Sequence, residues 1–551
     1  MKNSLFKRIT PLFLCLILCV STMSGCTRMT EDEIYWTSRW EEEKVWVEYD
    51  KENVESTPQN EQTQENENTD NSDSSQSDVS SSDDDTSSES EGGNVGLDPN
   101  AKVDSADKPK VKNTANLIKP FTVKSDKQAA TLRNKVLNSK SQKVNVKGTV
   151  YYISYRGNDD NDGKSPKTPW KTLTKLSYSM QIGEGDAVLF ERGGVYRGGI
   201  SCRNGVYYGA YGTGDKPAIY RSAANYAKSD WIKDSGNIWV APGTVTDAGV
   251  IVFNHGELAG DRKFSKNELV ENGDYYSEAG GRVLLYMDKQ PAKKFKSIEI
   301  GGDSHVFSIP ANGHDITIDN ITMKYGGAMG VQGANGCKNI TVTNCEIGWI
   351  GGSVLNGYGD GTVRYGNGIE FWNACENIHV ENNWIYQIYD SGFTHQGNGA
   401  DGFTVKNVLC TKNLIEYCNF ASIEYWAPAE GKHKMVDVEY SNNILRFAGY
   451  GWGYYGQPAA HIYSTDNFNE AHNFVIKNNI LDTALNRHTR CVHHSGTLPK
   501  MSGNTFIGKK GERLGSIGIS TTSTTYFFDD NTQSAIRADW GDATAKVLFN
   551  D

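Results

Sequence analysis

Glu370 and Glu424 stand in two short segments of the same design, GIEFW at 368–372 and SIEYW at 422–426. An isoleucine precedes each carboxylate, and a tryptophan, Trp372 or Trp426, follows two places on. Successive side chains of an extended strand point to opposite faces, so each glutamate shares a face with its tryptophan. Four more segments fit the frame: GVQGA (330–334), GFTHQ (392–396), AHIYS (460–464) and CVHHS (491–495). With Val331, Ile369, Phe393, Ile423, Ala460 and Val492 turned inward, the outer face carries Gln332, Glu370, Thr394, Glu424, His461 and His493. Two places on, it carries Ala334, Trp372, Gln396, Trp426, Tyr463 and Ser495. Carboxylates and imidazoles transfer protons near neutral pH once their surroundings tune them. Grouped aromatic side chains on a surface call for a ligand, and their flat faces suit sugar rings. The competing reading is an ordinary solvated face, which would favour Lys, Ser, Thr and Asn.

Stacked strands lie ~4.8 Å apart, so Glu370 and Glu424, two rungs apart, are roughly 9–10 Å apart at the backbone. Carboxyl groups flanking a glycosidic bond sit ~5–5.5 Å apart for retention and ~6.5–9.5 Å apart for inversion, so the inverting spacing is nearer. In that arrangement one glutamate is the acid and the other activates water, with His461 one rung from Glu424 to orient it. Asp390, in YDSGF, precedes its strand at a turn that reaches the same face, or simply caps that turn. Arg490 precedes the last segment, and Lys432 with His433 lies in the loop after Trp426. Asp360 and Arg364 fall in a glycine-rich insertion that would wall the groove. His395 and His494 fall on the inward register. Gly451, Trp452, Tyr454 and Tyr455 form an aromatic loop that either holds a sugar or packs on a coil.

The elements that must position these residues announce themselves by repetition. Asn320, Asn344, Asn383, Asn413, Asn443, Asn479 and Asn504 each precede an apolar pair or near-pair, in steps of 24, 39, 30, 30, 36 and 25 residues. That is a solenoid of irregular rungs, in which distant residues become vertical neighbours. The expected fold is all-β, a parallel β-helix over 125–551, with a β-rich insertion at 225–300 where NIWVAP, GVIVFNHGELAG and RVLLYMD read as strands. A helix is expected from DKQAATLRNKVLNSK with Asp126 as its N-cap, and a second after Pro169 to cover the open end of the solenoid. Asn158, Asp160, Asp162 and Gly163 begin like a calcium loop, but Pro169 stands where the bidentate acid belongs, so a turn of Asx residues is the better reading.

The first 26 residues carry Lys2, Lys7 and Arg8, an apolar run from Pro11 to Val20, then Met23-Ser24-Gly25-Cys26. This reads as an export signal and resembles the bacterial lipoprotein box, in which the cysteine, here Cys26, is lipidated. Residues 27–124 form a membrane-proximal segment and an acidic, serine-rich linker that cannot bury enough surface to order itself. About 60 such residues span ~40–45 Å, a tether on this reading. The linker supplies much of the formal charge of −11, and no basic patch for nucleic acid appears. Cys202, Cys337, Cys345, Cys375, Cys410, Cys418 and Cys491 are an odd set without close pairing, expected as small buried apolar residues instead of disulfides or zinc ligands.

GNDDNDGKSPKTPWKTL, GDAVLFERGGVYRGGI and YGAYGTGDKPAI resemble the N-terminal segments of bacterial extracellular right-handed parallel β-helix proteins. Those are mostly carbohydrate-active: glycoside hydrolases, polysaccharide lyases and their relatives. The resemblance covers about Tyr151 to Asp551 and is specific for fold, weak for reaction. It implies a surface-anchored monomer acting on a polysaccharide or oligosaccharide. The favoured expectation is a hydrolase with Glu370, Glu424, Asp390, His461 and His493 catalytic, and Trp372, Gln396, Trp426, Tyr463, Arg490 and Lys432 binding the sugar, without cofactor. The insertion tilts the resemblance the same way, since β-helix glycosidase-like proteins carry similar ones. The alternatives are a lyase using Lys432, Arg490 and the histidines, with or without calcium, and a glycan-binding protein without catalysis. The central column lacks Lys and Arg, which counts against the lyase.

Overall fold

The computed structural model describes residues 122–141, 145–398, 402–428, 432–453, 458–465, 470–493, 497–519 and 523–550. Cys26 and the linker lie outside them. Within the described residues the chain winds as a right-handed parallel β-helix with three sheets of ten strands each. One coil shows the pattern: Cys375–Glu381 in the first sheet, Trp384–Ile388 in the second, Phe393–Gln396 in the third, then Thr404–Thr411 back in the first. Pairing is parallel between coils, except that Tyr526–Phe527 closes the third sheet antiparallel. The interior is stacked aliphatic residues in register: Ile340, Ile378, Val408 and Val438 in the first sheet, Ile347, Ile385, Ile415, Leu445 and Leu481 in the second. All seven cysteines of the described residues are buried and free.

The asparagine repeat resolves into a hydrogen-bonded ladder at the corner between the first and second sheets. The side-chain oxygens of Asn383, Asn413, Asn443, Asn479 and Asn504 each accept the main-chain N–H of the residue stacked beneath, at 2.8–3.1 Å. Cys345 takes the first place in the ladder and the Asp542 carboxylate accepts from Asn504 at the other end. Asn344 and Asn320 stand one residue before the ladder, at positive φ (53° and 65°), so the sequence alignment is one place out there. That neighbouring place is left-handed in the coils from Asn320 to Asn478 (Asn382, Lys412, Asn442 and Asn478 follow), a conformation asparagine adopts at low cost. Two adjacent positions both favour Asn for different reasons, and the repeat alone does not separate them.

The ends are covered by local structure. Leu173–Tyr178 is a short helix whose cap is Thr172, and its Leu173 and Leu176 join the coil core. The Asx reading of the loop before it matches the bonds: Asn158 Oδ1 accepts Asp160 N–H, and Asp162 Oδ1 accepts Lys164 N–H. At the other end Thr532–Asp539 packs Ile536 on the core, with Trp540 behind it. The helix Asp126–Leu137 lies against the outer face of the second sheet, joining Ala129 and Val136 to Trp384, Tyr386 and Leu414. Its N-cap is Ser125, not Asp126; Asp126 is the first helical residue and its carboxylate accepts Val123 N–H.

The insertion leaves the coil after Ala218–Tyr220 and returns before Phe307–Ile309. It holds a three-stranded sheet (Leu258–Ala259, Val250–Phe253, Ile298–Gly301) and a five-stranded one (Asp261–Lys263, Asp274–Ser277, Val283–Tyr286, Ile238–Val240, Ile232–Ser235) around its own core. Arg262 ties it to the coil: it bonds Ala248 O and Gly352 O and pairs with Asp247, whose other oxygen accepts Val354 N–H.

Replacing Asn413 by Ala in the middle of the ladder strands the N–H of Asn383 and the carbonyl of Val380. The expected loss is about 2–4 kcal/mol by urea denaturation. Lys406→Ala, which removes an exposed cross-coil ion pair on the first sheet, is expected to cost no more than ~1 kcal/mol.

Candidate functional site

The outer face of the third sheet carries one continuous column. In register it runs Ser308, Gln332, Glu370, Thr394, Glu424, Tyr463, Arg490 and Ser516. Beside it Trp372, Gln396 and Trp426 stack and stay half-buried. The interior takes Val331, Ile369, Phe393, Ile423 and Ile462.

Beyond Glu424 the column departs from the sequence alignment. Ala460 sits opposite Ala421, so Ile462 and not Ala460 follows Ile423, and Tyr463 and not His461 follows Glu424. His461 falls at the corner, fully buried, with Nδ1 at 3.1 Å from the Ser422 hydroxyl and its ring packed on His488. His493 turns inward, where Nε2 meets the Tyr425 hydroxyl at 3.0 Å, while Val492 is half-exposed. Both histidines therefore stand away from the groove face. The register turns Thr489, Cys491 and His493 inward and Arg490 and Val492 outward; the other parity would bury the Arg490 guanidinium in the core, and CVHHS fits either by pattern. His395 is inward as its register requires, bonded to the Tyr440 hydroxyl. Burial drives the His395 imidazole down to about 3 and His493 to about 4, so both are neutral.

Three carboxylates meet at the groove. Glu370 is 4% exposed; its Oε2 accepts the amide N–H of Asn367 at 2.7 Å and of Gln396 at 3.0 Å. Those two bonds favour the anion, yet burial outweighs them and raises the Glu370 carboxyl above its ordinary range. Both bonds land on Oε2, which leaves Oε1 for a substrate. Glu424 and Asp390, each 8% exposed, share one hydroxyl: Ser391 Oγ lies 2.8 Å from Glu424 Oε2 and 3.3 Å from Asp390 Oδ1. The two carboxylates are thus at most about 6 Å apart, close to the spacing at which they flank a glycosidic bond. The hydroxyl has one proton, so it serves one anion fully, and the shorter bond is to Glu424. Asn367 holds Ser391 in place by accepting its N–H at 2.9 Å, linking all three acids through one turn. Thr394, between the two glutamates, has a fully buried hydroxyl without a partner among the described residues.

The remaining sequence candidates separate. Arg490 stands in the column, two rungs past Glu424, so a cation does occupy that face. Tyr463 is buried against Phe420. Lys432 is exposed on the connection back to the first sheet, and its neighbour His433 is buried on Phe403. Arg364 bonds Gly352 O and Gly249 O and lies over Tyr389, anchoring the hairpin of Ser353–Val354 and Arg364–Tyr365. Asp360 is exposed near the hairpin's tip. Trp452 is buried on the outside of the coil, held by Gln387, so it packs and does not face the groove. His494, Ser495, Tyr454 and Tyr455 lie outside the described residues. Ser391 and Asn367 escaped the sequence reading; the turn position shared with Asp390 was their only signal. Among the described residues no three or more His, Cys, Asp or Glu gather as a metal would need.

No family model matches this sequence. A stretch of 51 residues, 9% of this chain and 3% of the other, is 45% identical to a lacto-N-biosidase of Bifidobacterium longum subsp. longum. The match thus spans a small fraction of that relative's length. In structure the chain is similar to a glycoside hydrolase over 68% of this chain and 95% of that one, at 10% identity and a TM-score of 0.41. It is similar also to a rhamnogalacturonan lyase over 69% and 79%, at 11% identity and a TM-score of 0.34. At such identities the likeness is one of fold alone, and the chemistry has to be argued from this chain's own side chains.

The inward histidines set a pH dependence. Their folded pKa values lie below the unfolded value of ~6.5, so between those limits the unfolded chain binds more protons. Stability from His395 and His493 is complete above pH ~6.5 and is lost as pH falls toward the folded values of about 3 and about 4. Thermal melting is expected to drop between pH 7 and pH 4.5, less steeply in His493→Gln.

Proposed function

We propose that the chain is a glycoside hydrolase acting on a polysaccharide or oligosaccharide along the outer face of the third sheet. One observation carries the reading: Glu370, Asp390 and Glu424 converge on a groove floored by Trp372 and Trp426, and their environments differ. Glu370, whose carboxyl is raised by burial, is the acid. It gives its proton from Oε1 to the glycosidic oxygen, which leaves as an alcohol. Glu424 takes a proton from the water that attacks the anomeric carbon; the Ser391 hydroxyl holds that base in place, and Asp390 is the second carboxylate on the same hydroxyl. Two rungs separate the glutamates, roughly 9–10 Å at the backbone, which favours inversion. The tryptophans offer flat faces for sugar rings.

Arg490 favours a second reading. A polysaccharide lyase needs a cation to neutralise a uronate carboxylate while a base removes the neighbouring proton. Arg490, in the column two rungs beyond Glu424, supplies such a charge. Calcium would serve the same end only on that reading. We also propose that Cys26 is lipidated and anchors the protein at the bacterial surface, with the linker as tether.

Mass measurement of products from a panel of plant and microbial polysaccharides separates these readings. Fragments carrying an added water are expected, and Glu370→Gln is expected to lower their formation by about 10²–10⁴-fold while sparing binding. Unsaturated fragments, lost instead in Arg490→Ala, would establish the lyase. Labelled palmitate is expected to enter the wild-type chain expressed in a bacterium and to be absent from Cys26→Ala.

A further inference from the structure

The groove does not stop at Glu370. Toward the N-terminal coils the column continues through Gln332 and Ser308, and the turn before Phe307–Ile309 sets Asp303 and His305 beside it. Tyr365, on the hairpin, reaches across: its hydroxyl donates to Asp303 Oδ1 at 2.6 Å. Asp303, His305 and Tyr365 are all half-buried, open enough to meet a ligand and held too firmly to be loose surface groups. We propose that these three residues form a second sugar-binding subsite, on the N-terminal side of Glu370, that takes a neutral, hydroxyl-bearing sugar unit.

The donor and acceptor pattern is fixed by the surroundings. His305 Nδ1 accepts the main-chain N–H of Met329 at 3.2 Å, so the proton of the neutral ring sits on Nε2, which becomes a donor. Burial lowers the His305 pKa, more than Asp303 raises it, so the ring stays neutral at pH 7. Burial, then Asp303 and its bond, push ionisation of Tyr365 far up, so the phenol keeps its proton for Asp303. The cluster then presents one N–H donor, the second carboxylate oxygen of Asp303 and the lone pairs of the phenol. A pair of sugar hydroxyls, each both donor and acceptor, matches that set. Tyr365 ends the hairpin that runs directly into Ile369–Trp372, which puts the cluster on the approach to the proposed acid. The rung of Phe307 lies two coils from that of Ile369, roughly 10 Å along the axis. A glycan that runs along this face with its scissile bond at Glu370 therefore brings a unit within reach of the cluster.

The same geometry selects charge. Asp303 is balanced by the nearby Arg221, whose Nε–H donates to the carbonyl of His305 at 3.1 Å, and Glu370 carries its proton on the hydrolase reading. Recognition therefore falls to the hydrogen bonds, and a uronate carboxylate has no hydrogen to give the free oxygen of Asp303, whereas a neutral sugar hydroxyl has one.

This inference rests on the hydrolase reading for its placement, and the test keeps the two apart. Affinity electrophoresis of the full chain in gels containing xylan, galactan, galactomannan or polygalacturonate reads binding without turnover. Retardation by at least one neutral polymer, and none by polygalacturonate, is expected. Tyr365→Phe and Asp303→Asn are each expected to weaken retardation by roughly tenfold or more, the effect of removing one hydrogen bond to a charged group. His305→Gln, which keeps an N–H, is expected to bind better than His305→Ala. Unchanged melting temperatures would exclude a merely structural effect of the hairpin; should Tyr365→Phe lower melting, the His305 pair decides. Retardation by polygalacturonate alone, by nothing, or equally in the wild type and all variants would overturn the subsite. Binding with these properties but without any cleavage by the wild type would instead overturn the hydrolase reading and leave the subsite standing.

Discussion

The parallel main-chain pairing between coils is the constraint on which everything else depends. It stacks residue upon residue at ~4.8 Å, so a functional face is a column and its membership is a matter of register. A shift of one residue would turn Ile369 outward and Glu370 inward between Val331 and Phe393 of the neighbouring coils, where an unpaired carboxylate is heavily penalised. The asparagine ladder guards against that shift. Each side-chain oxygen accepts an N–H from the neighbouring coil, so every second-sheet strand starts at the same height and phase. Loops of different length leave and return without disturbing it, because the corner and not the loop sets where the next strand begins.

With the interior uniform, the three outer faces are free to differ, and they do. The first sheet is solvated and carries cross-coil ion pairs such as Lys406–Glu376, Lys412–Glu381 and Lys477–Glu439, which contribute little individually. The second is covered by the helix Asp126–Leu137 and holds its charges in a buried cluster of Arg133, Glu416 and Arg446. The third is bordered by the hairpin of residues 353–365, whose Tyr365 bonds Asp303, and there the acids stand with amides and hydroxyls around them. The division follows from what covers each face: solvent, a helix that brings arginine, or a wall that leaves a groove.

Much of this was readable before any coordinates. Val331, Ile369, Phe393 and Ile423 alternate with polar residues, and alternation by β-branched and aromatic side chains specifies which face is inward. The reading failed where the pattern is degenerate. AHIYS contains Ala460 and Ile462 at equivalent parity, and a long preceding loop hides which one pairs with Ile423. CVHHS begins with two apolar residues, so either parity fits the pattern, and the one that keeps Arg490 out of the core prevails. Arg490 entered the column for the same reason His493 left it. Asp303 and Tyr365 are 62 residues apart and meet through a hairpin and an insertion; no periodicity links them, since neither belongs to a repeated position.

Two buried glutamates in the same fold show how function separates from structure here. Glu416, on the second sheet, is buried, which would raise its carboxyl; Arg133 and Arg446 beside it, with bonds from Arg133 and Trp384, more than offset that and hold it below the ordinary range. It is an anion matched to cations, and the arrangement is satisfied as it stands. Glu370 is buried almost as fully, but its neighbours are amides, which stabilise the anion less than burial destabilises it. A glutamine there would spare the chain the burial of an ionisable group. Keeping a carboxyl whose proton is held more tightly than usual, in a groove with two more carboxylates and two tryptophans, is what a proton donor to a substrate requires. The cost in stability falls on the face that the hairpin leaves open to a ligand, and the paired charges are confined to the face that the helix closes.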